Sequence, residues 1–223
     1  MTVLEESRAV AGLLDKTNRV FPEDVSWETY QATPDEVERE GRRFRHTYDQ
    51  GRLEIMTRSG EHEIPKELFG LLLFVLAEEM NRPLFVGGET TLRDKKIKRG
   101  IEPDQCYWIA NEPRVRGKIR IDFRKEPPPD VFLEVEVSRT IINRLAVLAA
   151  LRVPEVWRFD GKKVQVGVLQ PEGQYQWGNH SPSFPGVAIG EIGRFLQKAR
   201  NTDHTGILRE LRRWVREQLP KAD

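Results

Sequence analysis

PPPDVFLEVEVS, residues 127–138, is the stretch on which the reading of the fold turns. Three prolines interrupt the chain, and Asp130 to Val137 then alternates polar and apolar positions, the two-residue period of a strand with one apolar face. Asp130, Glu134 and Glu136 share the opposite face. Like charges so close repel and shift each other's pKa unless a cation lies among them. Mg²⁺, a hard ion taking oxygen ligands from one or two carboxylates plus water and substrate phosphate, resolves that conflict. On this reasoning Glu134→Ala should remove metal binding and leave the apo fold intact or more stable.

For an arbitrary sequence, an exposed strand face with scattered acids is the simpler account. A second acid tips the balance. Gly100 to Asp104, GIEPD, ends in a Pro-Asp step directly before an apolar strand, with Pro103 fixing the backbone ahead of the acid. Pro-Asp occurs also at Pro34-Asp35 and Pro129-Asp130, so the weight rests on the step combined with the acid-x-acid strand.

Outward from these stretches, His46 to Met56 has a polar Asp49-Gln50-Gly51 between two alternating arms and predicts a hairpin. Glu61 to Met80 has apolar residues at helical spacing, with Pro65 near the start. Strands are expected at Leu84–Gly87 and Cys106–Ile109, separated by a basic turn, Arg93 to Arg99. Ile141–Leu151 returns to helical period, and Val153–Phe159 and Val164–Leu169 form strands joined at Asp160-Gly161. Residues 1 to about 26 are a polar lead-in. A short helix should start at Thr33, with Pro34 in its first turn. An amphipathic helix from about Thr205 to Leu219 closes the chain. This order is mixed α/β.

With 36 basic and 35 acidic residues the net charge is +1, so attraction to a polyanion must be local. The single cysteine, Cys106, excludes an intrachain disulfide framework and a CxxC zinc site and fits a reducing compartment, so a cytoplasmic protein is expected. Glu5, Glu6 and Asp15 stand where a signal peptide needs basic and then apolar residues. The longest apolar run, Leu68 to Ala77, is about half a membrane span, so no membrane association is expected.

GIEPDQCYWI (100–109), PPPDVFLEVEVS and NRLAVLAALRVPEVWRFDG (143–161) together resemble the Uma-two family of restriction-endonuclease-like proteins in the PD-(D/E)xK superfamily, from about Tyr30 to the C-terminus. The resemblance implies a restriction-endonuclease-like α/β fold, a mixed β-sheet flanked by helices, with the active site at one sheet edge. The domain would span residues 30–200, after an N-terminal extension (1–29) and before a C-terminal amphipathic helix (201–223) packed on it. The family's helix acid falls on Glu63, its Pro-Asp acid on Asp104 and its strand acid on Glu134, the implied ligands of Mg²⁺, with Mn²⁺ as substitute. Where many superfamily members carry a lysine two residues after the strand acid, this chain has Glu136, a candidate second ligand. In Uma-type proteins a lysine of the next helix takes that place, and the matching position is Arg144. Arginine stays charged and cannot take a proton from water, though it can orient the water or stabilise the pentavalent phosphate. Its charge should also lower the carboxylates' pKa values and compete with Mg²⁺.

Several residues have plainer accounts. Glu61 and Glu67 compete with Glu63, His62 fits a surface or capping role, and Asp130 is either a fourth site acid or a strand start. Lys95, Lys96, Lys98 and Arg99 before Asp104, and Arg114, Arg116, Lys118 and Arg120 after that strand, are either solvated loops or phosphate contacts. The leading function is Mg²⁺-dependent endonucleolytic hydrolysis of a nucleic acid, with DNA the expected partner although no residue separates DNA from RNA, and with a homodimer suggested by analogy alone. The alternative is a catalytically weakened or inactive nucleic-acid-binding or dimerisation module of the same fold. A metal-dependent hydrolase of another phosphoester is a third.

Overall fold

The structure is a computed structural model describing residues 2–14, 18–39, 44–57, 60–135 and 142–218. The N-terminal part comprises α1 (Val3–Leu13), β1 (Arg19–Val20), α2 (Trp27–Arg39), β2 (Phe44–Asp49), β3 (Arg52–Thr57) and α3 (Gly60–Glu79). Then come β4 (Phe85–Gly88), β5 (Leu92–Asp94), β6 (Arg99–Ile101), β7 (Gln105–Trp108), α4 (Glu112–Val115), β8 (Val131–Val135) and α5 (Arg144–Ala150). The remainder is β9 (Glu155–Phe159), β10 (Val164–Leu169), β11 (Tyr175–Gly178), β12 (His180–Ser181), β13 (Phe184–Ala188), α6 (Ile192–Lys198) and α7 (His204–Gln218). Among the described residues no helix is long and apolar enough to cross a membrane.

β8 is the pivot. It lies inside a six-stranded sheet of order β11-β10-β9-β8-β7-β4, parallel to β9 and antiparallel to β7. Val131, Leu133 and Val135 join the large core with Leu68, Leu72 and Leu76 of α3 and Ile207, Leu211 and Val215 of α7. Phe132, on the other face, packs with Val147 and Leu148 of α5 and with Leu92 and Ile101 of the β5–β6 ribbon. The strand is therefore buried on both faces, where the alternation predicts only one apolar face. The difference arises because α5 and β6 cover the side that carries Phe132 and Glu134. Arg212 and Arg216, on the polar face of α7, reach Glu78 (3.0 Å) and Glu79 (2.6 Å) at the end of α3.

A second sheet, β1-β3-β2-β6-β5, is antiparallel throughout. Its β2–β3 hairpin turns at Gln50 and Gly51, both at positive φ (49° and 100°), as a tight two-residue hairpin requires. β5 and β6 occupy the ends of the region expected as a basic turn. Three-residue strands dense in lysine and arginine carry too little alternation to be seen. α2 begins at Trp27, well before the expected start at Thr33, and Pro34 lies inside it. The Ser26 hydroxyl accepts the Thr29 N–H at 3.0 Å, a cap that starts the helix early. Burial of Trp27, Tyr30 and Val37 outweighs the lost backbone bond at the proline. The lead-in contains α1, opened by a capping box between Thr2 and Glu5.

Candidate functional site

The two sheets meet where β6 runs on through Glu102 and Pro103 into β7. β7 pairs antiparallel with β8 as Gln105↔Leu133, so one further step of that register sets Asp104 opposite Glu134. The acid-x-acid strand does lie beside the Pro-Asp strand. The link is direct: the Val135 N–H donates to Asp104 Oδ2 at 2.7 Å, so the backbone next to one acid fixes the other.

Between the two carboxylates stands a residue that the sequence reading missed, Arg45 of β2. Its Nη1 lies 3.3 and 3.4 Å from the oxygens of Asp104 and 3.4 Å from Glu134 Oε2. From the other side, Arg144 at the start of α5 donates through Nη2 to Glu134 Oε1 and, at 2.8 Å, to the Glu102 carbonyl, and through Nη1 to the Thr47 hydroxyl. α5 is set by Asn143, whose Oδ1 accepts the Ala146 N–H at 3.1 Å. All four charged groups are buried, with exposures of 3% for Asp104, 8% for Glu134, 4% for Arg45 and 7% for Arg144. Glu54 of β3 is buried nearby and accepts the Ile142 N–H at 3.1 Å.

Burial raises the Glu134 carboxyl above the ordinary carboxylate range; Asp104 pushes the same way, while Arg144 and Arg45 pull it down. The lowering expected from Arg144 is therefore present but outweighed. Burial opposes the charge on Arg45, yet Glu134, Asp104 and Glu54 together hold its guanidinium above its usual value. The cation required among the acids is already supplied by the chain. Removing Glu134 would relieve its repulsion with Asp104 but would also strip two buried guanidiniums of a partner, which points against the expected gain in stability.

The other predicted residues have distinct settings. Glu63 lies in the first turns of α3 with its Oε2 2.7 Å from Lys66 Nζ, which also contacts Glu89 at 2.8 Å. Glu63 thus joins a lysine cluster, whereas Asp104, Glu134 and Arg144 are brought together with Arg45. Asp130 is structural: its carboxylate accepts the Ile109 and Asn111 N–H groups at 2.6 and 3.0 Å and the Asn111 side chain at 2.6 Å. Glu136 lies outside the described residues. Among the described residues no group of three or more His, Cys, Asp or Glu side chains is placed to hold a metal.

The donor set nonetheless fits Mg²⁺. Two carboxylates offering hard oxygens is the usual protein contribution to that ion. A guanidinium shared between them marks the spot as one that accepts positive charge. Asp104 and Glu134 would hold the ion, and Arg45 would have to yield to it.

A putative nuclease belonging to DUF820 from Anabaena variabilis is 16% identical, with a TM-score of 0.44 over 68% of this chain and 90% of that one. No curated protein matches. The family model Uma2, described as "Putative restriction endonuclease", matches residues 27–189, well over half the chain and including every charged group of the buried cluster. The chain belongs to the Uma2 family.

Proposed function

We propose that the protein is a Mg²⁺-dependent endonuclease hydrolysing nucleic-acid phosphodiesters, DNA in preference to RNA, with Asp104 and Glu134 as the metal-holding pair. The observation that carries this reading is the shared guanidinium: Arg45 joins two buried carboxylates from adjacent strands within 3.3–3.4 Å. Two carboxylates that converge in a protein interior need a proton or a cation between them, and here a cation, the Arg45 guanidinium, occupies that position. When bound, the divalent ion activates water and neutralises charge at the scissile phosphate. Asp104 is pinned for that purpose by the Val135 N–H. Arg144, anchored on Glu102 and Thr47, keeps a fixed positive charge beside Glu134 and can orient a phosphate oxygen but cannot accept a proton. Glu63 and Glu136 enter this proposal only as the further acids that the family resemblance implies.

A second reading, a catalytically weakened nucleic-acid-binding module, is favoured by the same observation seen from its other side. Two guanidiniums already neutralise the two carboxylates, so a metal gains less there than at an uncompensated pair. Nicking of supercoiled plasmid across Mg²⁺ concentrations separates the two. Arg144→Lys is expected to raise the Mg²⁺-dependent rate, by up to about 10²-fold if lysine acts as a base, while losing about 1.5–3 kcal/mol of stability as one nitrogen replaces a three-partner fork. If neither protein nicks DNA or RNA above an Asp104→Asn background, the binding-module reading is the better one.

A further inference from the structure

Part of each of the two basic runs noted in the sequence lines one cleft, Lys95 and Lys96 from the first and Lys118 and Arg120 from the second. A cleft of about 1120 Å³ is lined on one side by Arg93, Lys95 and Lys96 of the β5–β6 ribbon and on the other by Lys118, Arg120 and Arg124 of the loop leading towards β8. Along the chain the first segment leads on to Asp104 and the second to Glu134, and neither acid lines the cleft itself. Asp94 and Asp122 are the acids of the lining. Lys95 pairs with Glu28 at 3.0 Å, Arg124 with Asp122 at 2.8 Å, and Lys118 with Glu126. Among the described residues Arg93, Lys96 and Arg120 form no ion pair, and all three are exposed. In a chain of net charge +1, that is a local positive field facing a concave surface.

The aromatic rings of the cleft are engaged with other rings, Trp27 buried and Phe85 and Phe123 half-buried with Trp108 against them. Phe85 and Phe123 pack on Trp108 at centroid distances of 5.8 and 6.3 Å, and Trp27 is buried against Tyr30 and Tyr48. Single-strand binders need aromatic faces free for base stacking. A row of cations without such faces suits phosphates held at fixed spacing by a duplex. Ile119, 99% exposed between Lys118 and Arg120, offers an apolar side chain to a groove edge.

We propose that this cleft seats the phosphate backbone of double-stranded DNA through Arg93, Lys96 and Arg120, a placement that rests on the nuclease reading for its choice of polyanion. The test is fluorescence anisotropy of a labelled duplex in EDTA, where no cleavage occurs, across a salt series. For Arg93→Gln/Lys96→Gln/Arg120→Gln the slope of log affinity on log salt should shrink by about 2.7, about 0.9 per phosphate contact, and affinity near 0.1 M salt should fall roughly 10²-fold. Lys162→Gln/Lys163→Gln, outside the cleft, should bind as wild type. A triple variant that melts like wild type and keeps its affinity and slope overturns the proposal. So does single-stranded DNA or duplex RNA of equal length bound as tightly as the DNA duplex. Duplex binding that follows the prediction without any plasmid nicking in Mg²⁺ ends the nuclease reading and leaves the cleft standing; nicking with unaltered binding by the triple variant does the reverse.

Discussion

Glu134→Ala is expected to destabilise the apo protein by about 3–5 kcal/mol, the usual cost of removing one partner from a buried ion pair, and to abolish Mn²⁺ binding. Glu134 accepts from Arg144 on one oxygen and from Arg45 on the other, and without it both guanidiniums stay buried with Asp104 as the remaining acid of the pair. Their desolvation is then unmatched, a larger effect than the Glu134–Asp104 repulsion that the substitution relieves. Urea unfolding of both proteins gives the stability change, and calorimetric Mn²⁺ titration gives the ligand role. Unchanged or increased stability would restore the picture of mutually repelling acids, and unchanged Mn²⁺ affinity would remove Glu134 from the ligand set.

Arg45→Met should act in the opposite sense on the metal. Two carboxylates and two guanidiniums sum to zero, so adding a divalent ion leaves two buried positive charges unless Arg45 withdraws. A unit charge about 4 Å away is worth roughly 4 kcal/mol at an effective dielectric constant of about 20. Removing it should therefore tighten Mn²⁺ binding by up to about 10³-fold, less to the extent that Arg45 swings away when the ion binds. The apo variant should lose stability, because Asp104 and Glu134 then keep only Arg144, and Mn²⁺ should restore it. Thermal melts with and without Mn²⁺ read both effects. Equal or weaker Mn²⁺ affinity would mean that Arg45 holds the acids in place for the metal and does not compete with it.

How far the sequence reveals this site depends on how local each signal is. The Pro-Asp step and the acid-x-acid strand are contiguous, and one antiparallel register brings them together, so Asp104 and Glu134 are legible. Arg144 is reached only through the family resemblance, which places a basic residue on the helix after that strand. Arg45 stands 59 residues before Asp104, among Arg42, Arg43 and Arg45, where it looks like one of several surface cations. The available clue is its position in a strand pairing on both sides, with β3 and β6, every residue of which is buried. The same contrast runs through the fold. The β2–β3 hairpin, α3, β9–β10 and α7 carry their own periodicity and lie close to the expected positions. β5, β6 and β12 are two- or three-residue strands fixed by their neighbours. α1 was announced by a Thr2-x-x-Glu5 box hidden in a polar stretch, and α2 extends through a proline because buried aromatic residues outweigh it.

A crystal of the protein soaked in Mn²⁺ decides whether Asp104 and Glu134 hold a metal ion between them. The account predicts an anomalous peak at about 2.1 Å from carboxylate oxygens of both Asp104 and Glu134, with the Arg45 guanidinium displaced from between them. A crystal saturated with Mn²⁺ in which Arg45 still bridges the two carboxylates, and any manganese lies elsewhere, would contradict it.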